Sequence, residues 1–152
     1  MEFIKDNSVN ATGSLSVVLR GADGFIKQEQ HVKNLVVTAG KNLIASRLSG
    51  AVTGVNAAMS HMAVGSSATI AAAANTALGT ELGRVALSST SVTDNVITYT
   101  AVFPAGSGTG ALVEAGILNA GAAGTLLCRT VFDVVNKAST DSLTVIWNVT
   151  IG

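Results

Sequence analysis

The chain is 152 residues long, 48% apolar and 12% charged, and its nine basic and nine acidic side chains leave no net charge. A chain of this length buries roughly 68–70% of its unfolded surface as one domain, so neither a metal nor a disulfide is needed to hold it. High apolar content with balanced charge excludes disorder, and the missing surplus of Lys and Arg argues against a nucleic-acid partner, whose phosphates are bound by replacing counterions with cations.

Residues 1–13 carry little periodicity and are expected to form an extended arm, with a single domain over 14–152. Leu15 to Arg20 and Phe25 to Val37 alternate like strands around Gly21-Ala22-Asp23-Gly24, a turn of the kind Asp and Gly favour. Thr38 is placed to cap a short helix through Leu48, with Leu43, Ile44 and Leu48 at helical spacing, Arg47 in the last turn and Gly50 just beyond. A helix this short must pack on a sheet to persist in water.

His61 to Val64 is a short strand, and the alanine-rich run Ala68 to Leu78 is a surface excursion, with one helical turn expected around Thr80 to Leu82. Val85 to Ser91 and Asn95 to Phe103 follow as strands joined at Thr93-Asp94-Asn95; Ile97, Tyr99, Ala101 and Phe103 share one face. After the loop Gly106 to Gly110 come strands over Leu112 to Leu118, Leu126 to Val135 and Leu143 to Ile151. The last places Leu143, Val145, Trp147, Val149 and Ile151 on one side, so Trp147, like Phe132, is assigned to the core. About eight strands and one short helix indicate a mainly β protein, an antiparallel β-sandwich or jelly roll.

Cys128 is the lone cysteine, and Met1-Glu2-Phe3-Ile4-Lys5-Asp6 lacks the basic-then-apolar pattern of a secretory leader. The apolar residues come in short runs, none reaching the ~18 needed to span a membrane, so no membrane partner is expected. His31 and His61 have no second ligand at metal-binding spacing. Gly65-Ser66-Ser67-Ala68 lacks the glycine of a nucleophile elbow, and Gly106 to Gly110 lacks the Lys of a phosphate loop. Glu81, Asp94, Glu114, Asp133 and Asp141 show no local spacing for paired-carboxylate chemistry, and Glu81 with Arg84 is expected to brace a turn. No enzyme activity and no cofactor are expected. Charged residues make up about 25% of an average soluble chain, so much of this surface must be Ser, Thr, Asn, Gly and Ala, which suits close contact with other proteins.

Asn34-Leu35-Val36-Val37-Thr38-Ala39-Gly40, His61-Met62-Ala63-Val64-Gly65-Ser66 and Thr76-Ala77-Leu78-Gly79-Thr80-Glu81-Leu82-Gly83-Arg84 form one group of segments. With Phe103-Pro104-Ala105-Gly106, Glu114-Ala115-Gly116-Ile117-Leu118-Asn119 and Leu127-Cys128-Arg129-Thr130-Val131-Phe132, they resemble small virion proteins of tailed bacteriophages. Within that group the chain is most similar to capsid cement, or decoration, proteins, over about Asn34 to Ile151. The resemblance implies a jelly-roll subunit that binds the outside of the phage head, bridges major capsid protein subunits and associates with its own copies as a dimer or trimer. Its place would be the capsid exterior of the virion, after assembly in the host cytoplasm. Glu2, Phe3 and Ile4 are the expected partner contacts, because two large apolar residues in an arm have no local core. The alternatives are a tail, baseplate or fibre component, and a carbohydrate-binding host-recognition module, which would need exposed aromatics to stack on sugars.

Overall fold

The computed structural model describes residues 10–50 and 57–152. In chain order the elements are β1 (Ala11–Arg20), β2 (Ile26–Val36), α1 (Thr38–Leu48), β3 (His61–Gly65), β4 (Glu81–Ala86), β5 (Ser89–Thr93), β6 (Val96–Phe103), β7 (Gly110–Leu118), β8 (Leu126–Lys137) and β9 (Ser142–Ile151). The described residues are mainly β with one helix, as the alternating apolar pattern predicts. The nine strands form one antiparallel sheet in the order β4-β3-β7-β8-β2-β1-β9-β6-β5.

That sheet is curled at its middle. β2 meets β8 through only two rungs, Leu35 with Arg129 and Val36 with Cys128. Beyond them the strands splay, and side-chain amides take over from the lost ladder. Gln30 Nε2 donates to Asp133 O at 2.7 Å and Gln30 Oε1 accepts from Asp133 N, while Gln28 Nε2 donates to Val134 O at 3.1 Å. Backbone groups of Asp133 and Val134, on the exposed side of β8, are thus paired although the strands part. The two halves lie face to face around a core that includes Leu15, Val17, Met62, Val64, Phe103, Ile117, Val145 and Trp147. Trp147 is fully buried and Phe132 nearly so, as their alternation predicts.

The expected strand Val85 to Ser91 is in fact two strands at opposite edges of the sheet. The chain crosses between them at Leu87 and Ser88: Leu87 N donates to Ser60 O at 2.9 Å, beside β3, and Ser88 N to Thr100 O at 2.7 Å, on β6. One short crossing therefore stitches the two edges together and closes the curl. No helical turn forms at Thr80 to Leu82, because Glu81 already pairs with Gly65 as β4. β1 begins at Ala11, which pairs with Ile151, so the last three residues of the expected arm belong to the sheet.

The loop 104–109 seals the seam. Gly106, Gly108 and Gly110 all have positive φ, and a side chain on Gly83 of β4 would place its Cβ 2.6 Å from Gly108 Cα. Gly83→Ala is expected to push this loop off β4 and cost about 1–3 kcal/mol, the range for overpacking, read as a lower urea midpoint with an unchanged m-value.

Helix α1 spans the expected residues but is not capped by Thr38. Val37 holds the N-cap position with no side-chain cap, Thr38 is the first helical residue, and its N–H donates to Ala73 O at 2.9 Å. The helix rests on β8 at Gly40, where a Cβ would meet Leu127 O, and buries Leu43. Leu48, expected on the packed face, is instead 86% exposed.

Candidate functional site

The alternation of β1, β9, β6 and β5 puts their apolar residues into the core and leaves a second, outward face of the sheet. Register places Ser14, Asn148, Thr98 and Ser91 in one row across four strands, and Ser16, Ile146, Thr100 and Ser89 in the next. Val18, Thr144 and Val102 form a third row. Thr98 Oγ1 and Asn148 Oδ1 are hydrogen-bonded at 2.8 Å, while Ile146 and all of β5 are exposed. Four strands at ~4.8 Å spacing and about seven residues at ~3.3 Å give a patch of roughly 14 by 23 Å between backbones. It carries no charge on β9, β6 or β5; Arg20 marks one end, and Glu29, His31 and Lys33 lie along the neighbouring β2. The shortage of charge in the composition is concentrated here.

The opposite half of the sheet has its own outward face, and the excursion 66–80 covers it as a strap. Leu78 packs over Ala63, Leu118 and Leu126 in a second, smaller core. Beside it Glu114 and Arg129, both buried, form an ion pair at 2.8 Å. Glu114 also accepts the strap's backbone N–H groups of Ser67 (3.1 Å), Gly79 (2.9 Å) and Thr80 (2.7 Å). Arg129 donates to Asn75 Oδ1 and Thr69 O. Burial by itself would raise the Glu114 pKa, but the N–H groups of Thr80 and Gly79, the Arg129 guanidinium and Ser67 N–H together hold it below the usual carboxylate value.

Several other charged residues are likewise fastened one by one. Arg84 binds Glu81 through both nitrogens of its fork, at 2.7 and 2.8 Å, and reaches Ala120 O and Ala123 O, so the pair braces the β7–β8 turn as well as its own strand. Buried Lys137 donates to Pro104 O at 3.0 Å, and burial draws its pKa down. Asp141 accepts from Lys27 Nζ and Ala138 N, which lower its pKa. His31 pairs with Ser16 and His61 with Ser60, each ring nitrogen at 2.8 Å from a hydroxyl. The Cys128 thiol is buried within β8, and burial pushes its pKa far up. Among the described residues no three His, Cys, Asp or Glu side chains come together, and no helix is long and apolar enough to cross a membrane.

The third feature is a groove at the end of the curl where Asn10 and Gly152 lie side by side. It holds about 480 Å³ between α1 and the inner face of β9, β6 and β5 and is lined mostly by apolar residues, including Ile44, Leu48, Val92, Ile97 and Val149. Tyr99 lies in its wall, its pKa pushed up to about 12 by burial and by the nearby Cys128. Glu2, Phe3 and Ile4, the partner contacts expected from the sequence, lie outside the described residues. Sequence reasoning missed the Glu114–Arg129 lock, although Glu114 is the one charge in β7 and Arg129 directly follows the apolar run Leu126 to Cys128, which is the available signal. Compared with known proteins, the chain matches no family model, no curated protein and no solved structure.

Proposed function

We propose that this is a non-enzymatic virion structural protein that binds the outside of a phage head and bridges major capsid protein subunits, associating there with its own copies. The observation that carries this reading is the uncharged outer face of β1, β9, β6 and β5. Interfaces between proteins are depleted of charge at their cores, because a charge that loses water without gaining a partner is costly. Hydroxyls and amides of Ser, Thr and Asn can re-form their hydrogen bonds across such a contact. Many copies, each touching several shell subunits, then gain avidity from weak single contacts.

Jelly-roll wiring is part of the proposal. The nested pairings β1–β9, β2–β8 and β3–β7 support it, whereas the hairpins β1–β2, β3–β4, β5–β6 and β7–β8 keep consecutive strands in one half, unlike the jelly roll's alternation between sheets. A sugar-binding role has less support: Trp147, Phe103 and Phe132 are buried, and Phe25, at the β1–β2 tip, is the exposed aromatic among the described residues.

The test is co-sedimentation of the purified protein with expanded heads, followed by electron microscopy to place it. Ile146→Lys puts a charge at the centre of the face and is expected to lower head occupancy at least about tenfold, equivalent to about 1.4 kcal/mol, with the thermal midpoint unchanged. Removal of residues 2–9, which spares β1, is expected to weaken binding through loss of Glu2, Phe3 and Ile4. Full occupancy by the Ile146→Lys protein would sink the reading, and density on the tail axis would replace head by tail.

A further inference from the structure

We infer that two copies of the protein join edge to edge, β5 against β5, in antiparallel register about a two-fold axis at Ser91. This deepens the self-association in the head-binding proposal and rests on that part of it. β5 is the last strand of the sheet, and among the described residues it pairs with β6 alone. All five of its residues, Ser89–Thr93, are exposed, and it holds neither a charge nor a proline. A sheet edge in that condition is a template for another strand, which is why charges and prolines commonly guard such edges.

The other edge is closed. β4 carries Glu81 and Arg84, packs against β6, and is met by the loop 104–109 at Gly83. A copy with one open edge can add only another open edge, so the contact uses the same surface on both copies and stops at two instead of running on as a filament.

The register fits. Thr93 and Val96 flank a two-residue turn, so Thr93 and Ser91 exchange backbone hydrogen bonds with β6, while Thr90 and Val92 turn their N–H and C=O groups away from it. About an axis at Ser91, Thr90 stands opposite Val92 of the second copy, and each donates its N–H to the other's carbonyl. Ser91 then meets Ser91, and Ser89 meets Thr93. Asp94, the charge next to β5, falls opposite Ser88, which keeps the two Asp94 carboxylates at opposite ends of the contact. Val92, 66% exposed in one copy, gains Thr90 of the other as a cross-strand neighbour. The outward row Ser14, Asn148, Thr98 and Ser91 continues into the same row of the second copy. The uncharged face thereby doubles its strands and widens from roughly 14 Å to roughly 34 Å.

Sedimentation equilibrium of the full chain, without heads, tests the inference. The parent is expected to be a dimer. Ser91→Lys and Ser91→Glu each set like charges face to face on the axis and are expected to raise the dissociation constant by about tenfold or more. An equimolar mixture of the two should restore the dimer as a heterodimer, which misfolded variants could not do. Ser91→Cys, nearly the size of serine, should close a disulfide between copies under mild oxidation about tenfold faster than Ser89→Cys, which faces Thr93; the native Cys128 is buried in both. A dimer that neither charge weakens, or equal cross-linking of the two cysteine variants, would overturn the inference. A parent that stays monomeric to about 1 mM would overturn it equally, and Thr90 and Val92 amides protected from exchange only on heads would then give the edge to a strand of the shell protein. Heads are absent from the main readout, so a monomer leaves head attachment standing, and a dimer that ignores heads sinks the head-binding reading alone.

Discussion

Glu114→Gln is expected to cost about 3–5 kcal/mol, the range for breaking a buried ion pair by removing one partner, and to lower the thermal midpoint by on the order of 10 °C. The substitution leaves Arg129 buried without its counter-charge. It also sets an amide NH₂ either against Ser67 and Thr80 N–H, which share Oε1, or against Gly79 N–H and Arg129, which share Oε2, and these donors need an acceptor. Arg129→Met should cost a similar amount by stranding the carboxylate. The double variant Glu114→Leu with Arg129→Met separates charge from strap. Apolar replacement of a buried pair is often neutral, so any stability still missing measures the three backbone N–H groups left without a partner. Full recovery would show that Glu114 does nothing for the strap.

The same carboxylate has a pH signature. Its pKa in the folded protein is lowered, so its contribution to stability is complete above the ordinary carboxylate value of about 4.3 and is lost as pH falls from there through the lowered value. The stability gap between the parent and Glu114→Gln should therefore be constant above about pH 5 and should narrow below it. Urea titrations at several pH values measure this, and a gap that stays constant to about pH 2 would contradict the lowered pKa.

Trp147→Ala is the second large effect, expected at about 3–5 kcal/mol because the side chain is fully buried between the two halves of the sheet. Trp147→Phe should cost less than half as much. It keeps most of the ring and also removes Nε1, a buried donor with no hydrogen-bond partner, whose desolvation already costs the folded state on the order of 1–3 kcal/mol. Equal losses for the two variants would mean that the indole N–H is satisfied in the folded protein. Urea midpoints decide, with m-values checked for constancy.

Much of the local structure was legible because periodicity survives folding. In β9 and β6 one face is core and the other is solvent, so the apolar residues fall at every second position and the strand, its face and the burial of Trp147 follow together. The β1–β2 turn was equally legible, since Gly24 takes a positive φ and Asp23 accepts the N–H of Phe25. The break between β4 and β5 was not. Alternation runs on through Leu87 and Ser88, and a period of two says nothing about whether the next strand stays on the same edge.

The chemistry divides in the same way. The sequence shows that Glu114 and Arg129 each adjoin an apolar run, but they lie fifteen positions apart, and only the pairing of β7 with β8 brings them diagonally together beneath the strap. Thr38 has the composition of a cap, yet Ala73 reached its N–H from the strap. By itself, then, the sequence determined a mainly β, weakly charged chain and the inward face of most strands, because burial on one side imposes a local pattern. The tertiary structure alone decided which strands are neighbours, that the uncharged residues gather on one outward face, and that a groove opens beside Asn10, because these depend on contacts between distant residues that leave no period in the chain.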